Sequence, residues 1–217
     1  MIEISSLNKT IYGSIGLESS KSISNRLLII KELCKTKFEI QNLSNAKDTK
    51  ILNELLDSFN KRIDLNCEDA GTALRFLIAF LATKEGIWRV SGSKRMHERP
   101  VKPLIDCLKE LGAEIKYLEK EGFPPIEIKS KKLKSKKLSL PGDISSQFIS
   151  ALLLVAPTIE NGLTLEITSK VLSKPYIAMT LGLMSDFGIE YSWENNIIKV
   201  EQQNYLAKNI EVENDWS

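Results

Sequence analysis

The sequence predicts an inside-out α/β lobe (α+β in some schemes), with buried helices, outer single-faced sheets and about three repeats of a βαβαββ-like unit. Three observations carry this. The segments AGTALRFLIAFLA and FISALLLVA are apolar nearly all round a helical wheel, which a surface helix is not, so both belong to the interior. The segments FEIQNL, RIDLNC, LTLEITS and IEYSW place apolar residues mainly at every second position, as Leu163, Leu165 and Ile167 illustrate, giving each strand one buried and one wet face. A doubly wound fold would show continuously apolar strands instead, because helices cover both faces of its sheet. Finally, ELGAEIKYLEKEGFPPIEIKS and DFGIEYSWENNIIKVE both run from a helix end through glycine into two short strands.

Taken in order, helices are expected at Ser22–Cys34, Lys47–Phe59, Gly71–Ala82, Pro100–Leu111, Ser146–Ala156 and Pro175–Phe187, separated by the strands. Gly112 and Gly188, 76 positions apart, each follow a helix. Pro100 and Pro175, 75 positions apart, stand where those helices begin and a missing N–H does no harm. The first of the three copies is shorter and less regular, and no long Pro/Gly/Ser linker separates the copies.

The 217 residues are enough for a substantial apolar core without disulfides. With 30 basic and 28 acidic residues the net charge is only +2, so no global pull toward nucleic acid or anionic membrane exists and any basic chemistry is local. Cys34, Cys67 and Cys107 are unpaired in spacing and sit among apolar residues, as reduced cytoplasmic thiols do. Neither a secretory signal nor a transmembrane stretch is read. Six lysines between Lys129 and Lys137 lie between two strands without interleaved aromatics, the pattern of a solvated hairpin edge rather than a nucleic-acid stripe. Cys107 falls at helical spacing with Leu104, Leu108 and Leu111 and reads as core, not as a nucleophile for His97. One histidine with dispersed cysteines fails the ligand count for zinc.

The chemistry concentrates where helices start, since unpaired N–H groups and the positive end of the helix dipole favour anions there. Ser19-Ser20-Lys21-Ser22-Ile23-Ser24-Asn25-Arg26 adds hydroxyls and two cations to such a start. Ser145-Ser146-Gln147 and Ser173-Lys174-Pro175-Tyr176 are further serine-rich starts, for which helix capping is the plain alternative. In Asp69-Ala70-Gly71-Thr72 a glycine permits close backbone approach by a ligand. Arg95 in Arg95-Met96-His97-Glu98-Arg99-Pro100 offers a planar fork for a carboxylate or phosphate, with a surface salt-bridge loop as the alternative.

Read together and in order, SKSISNR, AGTALRF, RMHERP, SSQFISALLLVAP and SKPYI resemble the signature segments of the 3-phosphoshikimate 1-carboxyvinyltransferase (EPSP synthase) family across most of the chain. The resemblance implies transfer of the enolpyruvyl group of phosphoenolpyruvate to the 5-hydroxyl of shikimate 3-phosphate, releasing phosphate, on the way to chorismate and the aromatic amino acids. It implies no metal or organic cofactor and a cytoplasmic enzyme. It assigns Lys21 to both substrates, Ser22, Arg26, Ser145, Ser146, Ser173 and Tyr176 to shikimate 3-phosphate, Gln147 to a bridge between the two, and Gly71 and Arg95 to phosphoenolpyruvate. It also implies a second lobe carrying the acid/base carboxylates, with residues 1–12 forming a strand paired to that lobe, residues 13–213 the substrate-binding lobe and residues 214–217 the start of a hinge. On that basis these 217 residues alone are expected to bind shikimate 3-phosphate without turnover.

Two departures from the family pattern stand out. Glu18-Ser19 replaces the usual Pro-Gly before Ser-Lys-Ser, and Asp69 replaces a common Asn, bringing a carboxylate toward the phosphoenolpyruvate side unless it pairs with an arginine or caps the helix. A UDP-N-acetylglucosamine enolpyruvyl transferase is disfavoured, because that family pairs its lysine with asparagine where this chain has Lys21-Ser22 and lacks the SSQF and SKPY segments. From another class, a non-catalytic binding module is distinguished by whether shikimate 3-phosphate competes at the serine-rich starts.

Overall fold

Two helices without a wet face organise the molecule. In the computed structural model, which describes residues 13–129 and 132–215, α3 (Gly71–Ala82) is buried at every position except Thr72 and α5 (Ser146–Val155) at every position except Gln147. The two pack against each other, and around them lie α1 (Lys21–Leu33), α2 (Lys47–Ser58), α4 (Lys102–Glu110) and α6 (Lys174–Asp186). Removing a ring such as Phe80, wholly enclosed here, would cost roughly 3–5 kcal/mol through lost transfer energy and the cavity left behind.

Two four-stranded sheets cover this bundle. One joins β2 (Asp64–Asn66), β3 (Ile87–Ser91), β4 (Glu114–Tyr117) and β5 (Ile126–Lys129) in the order β2-β3-β5-β4. The other joins β6 (Lys137–Leu140), β7 (Leu163–Ile167), β8 (Tyr191–Glu194) and β9 (Ile197–Val200) in the order β6-β7-β9-β8. In both, the first pair is parallel and the next two are antiparallel, so the two sheets are topologically identical. Around α1 and α2 the described residues contain only a two-stranded sheet, in which β1 (Ile40–Gln41) pairs in parallel with β10 (Ile210–Glu211) from far along the chain.

The single-faced pattern is clear in β7 and β9, whose alternate residues are buried. It fails in β8, where no residue is fully buried and Trp193 packs only partly buried against the core, with Lys174 Nζ 5.1 Å from its ring. On the outer surface Lys129, Lys132, Lys136 and Lys137 pair with Glu114, Glu160, Glu110 and Glu166. Cys107 lies buried on α4, and His97 Nδ1 is 3.8 Å from a Glu119 carboxylate oxygen. Among the described residues no helix is long and apolar enough to cross a membrane.

The glycine correspondence extends to atomic detail. Gly112 (φ 108°) and Gly188 (φ 81°) follow the last turns of α4 and α6 in the left-handed region, where a side chain would be strained. Each time the next residue closes the helix through a six-to-one bond, Ala113 N to Leu108 O at 2.9 Å and Ile189 N to Met184 O at 3.0 Å. The proline correspondence needs correction. Helix α4 begins at Lys102, two residues after Pro100, and the proline in its first turn is Pro103, the counterpart of Pro175 in α6. Pro100 instead holds Arg99 extended, at φ −96° and ψ 123°, as a proline does to its predecessor. Helix α4 therefore has 9 residues where α6 has 13, about one turn fewer. The strand expected over residues 1–12, and residues 216–217 of the expected hinge, lie outside the described residues.

Candidate anion-binding site

Helices normally carry Asp or Glu in the first turn, opposite the positive end of their dipole. Here α1, α3, α4, α5 and α6 have none, and only α2 does, in Asp48. The starts of α1, α3, α5 and α6 meet at a cavity of about 290 Å³. Lys21, Ser22 and Arg26 line it from α1, Ser145, Ser146 and Gln147 from the head of α5, and Ser173 and Tyr176 from the head of α6. These eight residues were expected from sequence; Thr72, from α3, was not.

Capping explains only part of the serine pattern. Ser145 Oγ accepts the Gln147 backbone N–H at 3.4 Å, but the side chains of Ser20 and Ser173, each at the cap position, make no cap bond. At the α6 start Pro175 has no N–H and the Tyr176 N–H goes to the Ser173 carbonyl at 3.1 Å, so what is left for an outside acceptor is chiefly the Ser173 hydroxyl.

Arg26 is only 3% exposed and makes no ion pair among the described residues. Its Nε donates to Thr180 Oγ1 at 2.7 Å, one terminal nitrogen to Ser150 Oγ at 3.1 Å and the Tyr176 carbonyl at 3.3 Å, and the other to the Ser22 carbonyl at 2.8 Å. The Thr180 hydroxyl donates to the Tyr176 carbonyl at 2.8 Å, so its oxygen is left to accept from Arg26 and from Ser150, 2.8 Å away. The guanidinium also faces the Phe76 ring at 5.5 Å. Burial pulls Arg26 down to about 10, so it remains a cation at neutral pH. A buried charge surrounded only by neutral oxygens is an incomplete arrangement that an anion in the cavity would complete.

A second cationic group lies at Gly71. A Cβ on Gly71 would collide with Arg99 Nη1 and come within 3.2 Å of Arg75 Nη1, so the absence of a side chain is what lets both guanidinium groups approach the start of α3. Arg75 is 5% exposed, and burial together with the Arg99 charge brings it to about 10. Its Nη1 donates to Gln147 Oε1 at 2.5 Å and Gln147 Nε2 donates to Thr72 Oγ1 at 3.0 Å, while Arg75 Nε is buried without a partner.

Arg95, expected with Gly71 at phosphoenolpyruvate, is exposed and directly precedes the 3-10 turn Met96–Glu98, and neither it nor Gly71 lines the cavity. That turn lies between Arg95 and Arg99, and it is Arg99 that reaches Gly71. Asp69 takes neither course foreseen for it. Ala70 is the cap residue of α3, and the Asp69 carboxylate accepts a bond from the Ser93 hydroxyl. Arg75 and Thr72 were missed, although a lone arginine in AGTALRFLIAFLA was a signal, since a charge in an otherwise apolar interior helix requires partners.

A family model described as EPSP synthase (3-phosphoshikimate 1-carboxyvinyltransferase) matches residues 56–217. The 3-phosphoshikimate 1-carboxyvinyltransferase of Bacteroides fragilis (strain YCH46) is 45% identical over 208 residues, covering 95% of this chain and 50% of the relative. That of Shewanella halifaxensis is 36% identical over 238 residues, covering 96% and 55%. Among solved structures, EPSP synthase from Acinetobacter baumannii superposes with a TM-score of 0.82 at 19% identity over 94% of this chain and 50% of that one, a likeness of fold. The chain thus spans about half the length of the curated relatives it matches.

Proposed function

This chain belongs to the EPSP synthase (3-phosphoshikimate 1-carboxyvinyltransferase) family, and from that we propose that its residues 13–213 form a lobe that binds shikimate 3-phosphate at the four converging helix starts. The observation that carries this reading is the cavity itself: four helix N-termini without first-turn carboxylates surround Arg26, a buried cation with no anionic partner. A phosphorylated hydroxy acid supplies what is lacking. Its phosphate accepts from Ser145, Ser146 and Ser173, and its carboxylate from Ser22 and Arg26. Phosphoenolpyruvate is held beside it by Lys21, Gly71, Arg95 and Gln147.

In the whole enzyme this arrangement brings the 5-hydroxyl of shikimate 3-phosphate to the enol carbon of phosphoenolpyruvate, and the cations offset the repulsion of two anionic substrates as they align. The C–O bond to phosphate breaks as the new enol ether forms. The proton transfers require carboxylates, and no group lining this cavity is one. We assign that chemistry to a second lobe equivalent to the remaining half of the relatives, so the 217-residue chain binds without turning over.

Calorimetric titration with shikimate 3-phosphate, beside a phosphate-release assay with both substrates, tests the reading. Saturable binding without phosphate release is expected. Absence of binding would sink the site assignment, and turnover by the pure chain would sink the division of labour.

A further inference from the structure

We infer that Arg75 is a positioning residue that fixes the Gln147 amide, so that Gln147 turns an N–H donor to the cavity and the ligand atom it meets is an oxygen acceptor. A glutamine side chain is ambivalent, since either its oxygen or its nitrogen can face a ligand. At position 147 the ambiguity is removed by the neighbour. A guanidinium has donors and no acceptor, so the atom 2.5 Å from Arg75 Nη1 must be the amide oxygen. The nitrogen then lies on the other side, where one N–H goes to Thr72 Oγ1 at 3.0 Å and the second remains for the cavity that Gln147 lines.

Arg75 is itself held in place. It reaches the Gly71 and Pro100 carbonyls at 3.4 Å each and lies over the Phe148 ring at 4.9 Å. Phe148 follows Gln147 on α5, so Arg75 grips that helix through a ring and an amide in succession. Lysine would retain the charge but not the planar fork that touches all of these at once.

The consequence is one of ligand choice. At this point in the cleft a carboxylate, phosphate or ether oxygen is favoured, whereas a hydroxyl or ammonium that must donate competes with Arg75 for the Gln147 oxygen. The inference rests on the reading that Gln147 contacts the ligand, and its test separates the two.

In the free chain, the Gln147 side-chain amide should give a well-separated pair of proton resonances by NMR that collapses toward solvent-exposed values in Arg75→Lys. By calorimetry, Arg75→Lys should weaken shikimate 3-phosphate binding roughly tenfold, but less than about twofold in a Gln147→Ala background, because Arg75 acts through Gln147. Gln147→Glu keeps an acceptor for Arg75 and removes the donor, so it should melt at or above the wild-type temperature while binding more than about tenfold more weakly. Unchanged Gln147 resonances in folded Arg75→Lys, or additive effects of the two substitutions, would overturn the inference. Should Arg75→Lys fail to fold, Gln147→Glu decides, and wild-type affinity there overturns it. A wild-type chain that binds no shikimate 3-phosphate defeats the proposed function, and the free-chain resonances then judge the amide lock by themselves.

Discussion

Arg26 and Arg75 are both buried, both lowered to about 10 and both seated on an aromatic ring, yet their surroundings differ. The Nε and terminal nitrogens of Arg26 all reach oxygen, and hydroxyls from α5 and α6 hold it in one orientation. Arg75 keeps an unpartnered Nε, has longer bonds to two carbonyls and lies close enough to Arg99 to be destabilised by it. The first side of the cleft is organised before any ligand arrives. The second holds two like charges together at the start of α3.

The largest expected effect comes from removing the organised cation. Arg26→Met should weaken shikimate 3-phosphate binding on the order of hundredfold, since charge-assisted bonds are worth roughly 1.5–3 kcal/mol each. Its melting temperature should change little, because the same substitution removes a buried charge that has no carboxylate partner. Calorimetry and thermal denaturation read the two, and intact affinity would erase the contrast between the arginines. Gly71→Ala displaces Arg99 on the other side. Phosphoenolpyruvate affinity, measured with shikimate 3-phosphate present, should fall roughly tenfold while shikimate 3-phosphate affinity stays within about twofold. Equal losses for both ligands would mean that the two sides are not separable.

A smaller change tests how Arg26 is held. Thr180→Val leaves Arg26 Nε without an acceptor and should cost about 1–3 kcal/mol of stability in chemical denaturation. Shikimate 3-phosphate affinity should drop a few-fold as well, with Thr180→Ser restoring both. Asp69→Asn should have the least effect. Asp69 is exposed, so removing its charge should improve phosphoenolpyruvate affinity by about twofold at low salt, lose that gain at high salt, and leave shikimate 3-phosphate binding unchanged.

Much of this was legible in the sequence because the strongest signals are local. Helices α1, α3, α5 and α6 begin within one residue of their expected starts, since a serine or glycine followed by an apolar run marks a helix head directly. The α4 start was misjudged because RPVKP contains two prolines, and periodicity does not say which one enters the helix. The exposure of β8 is not announced by IEYSW, whose alternation matches that of the buried strands. Arg95 and Arg99 share one loop, and only the intervening turn, together with the extended backbone before Pro100, determines which of them reaches Gly71. Thr180 and Ser150 were illegible for a different reason: each is an ordinary small polar residue in an apolar helix until a guanidinium from 154 and 124 positions away is seen against it.

The pairing of β1 with β10 has a kinetic consequence. Ile40 meets Ile210 in parallel, and beside them Ser20 N–H bonds to the Glu213 carbonyl while Asp215 N–H bonds to that of Glu18. The two four-stranded sheets can assemble from segments near one another in the chain, but this seam must close a loop of nearly the whole length, a step opposed by chain entropy and rewarded only after the bundle exists. Lys21 and Ser22 directly adjoin the seam. Ligand affinity should therefore appear late during refolding, after the bulk of the helical signal has been recovered.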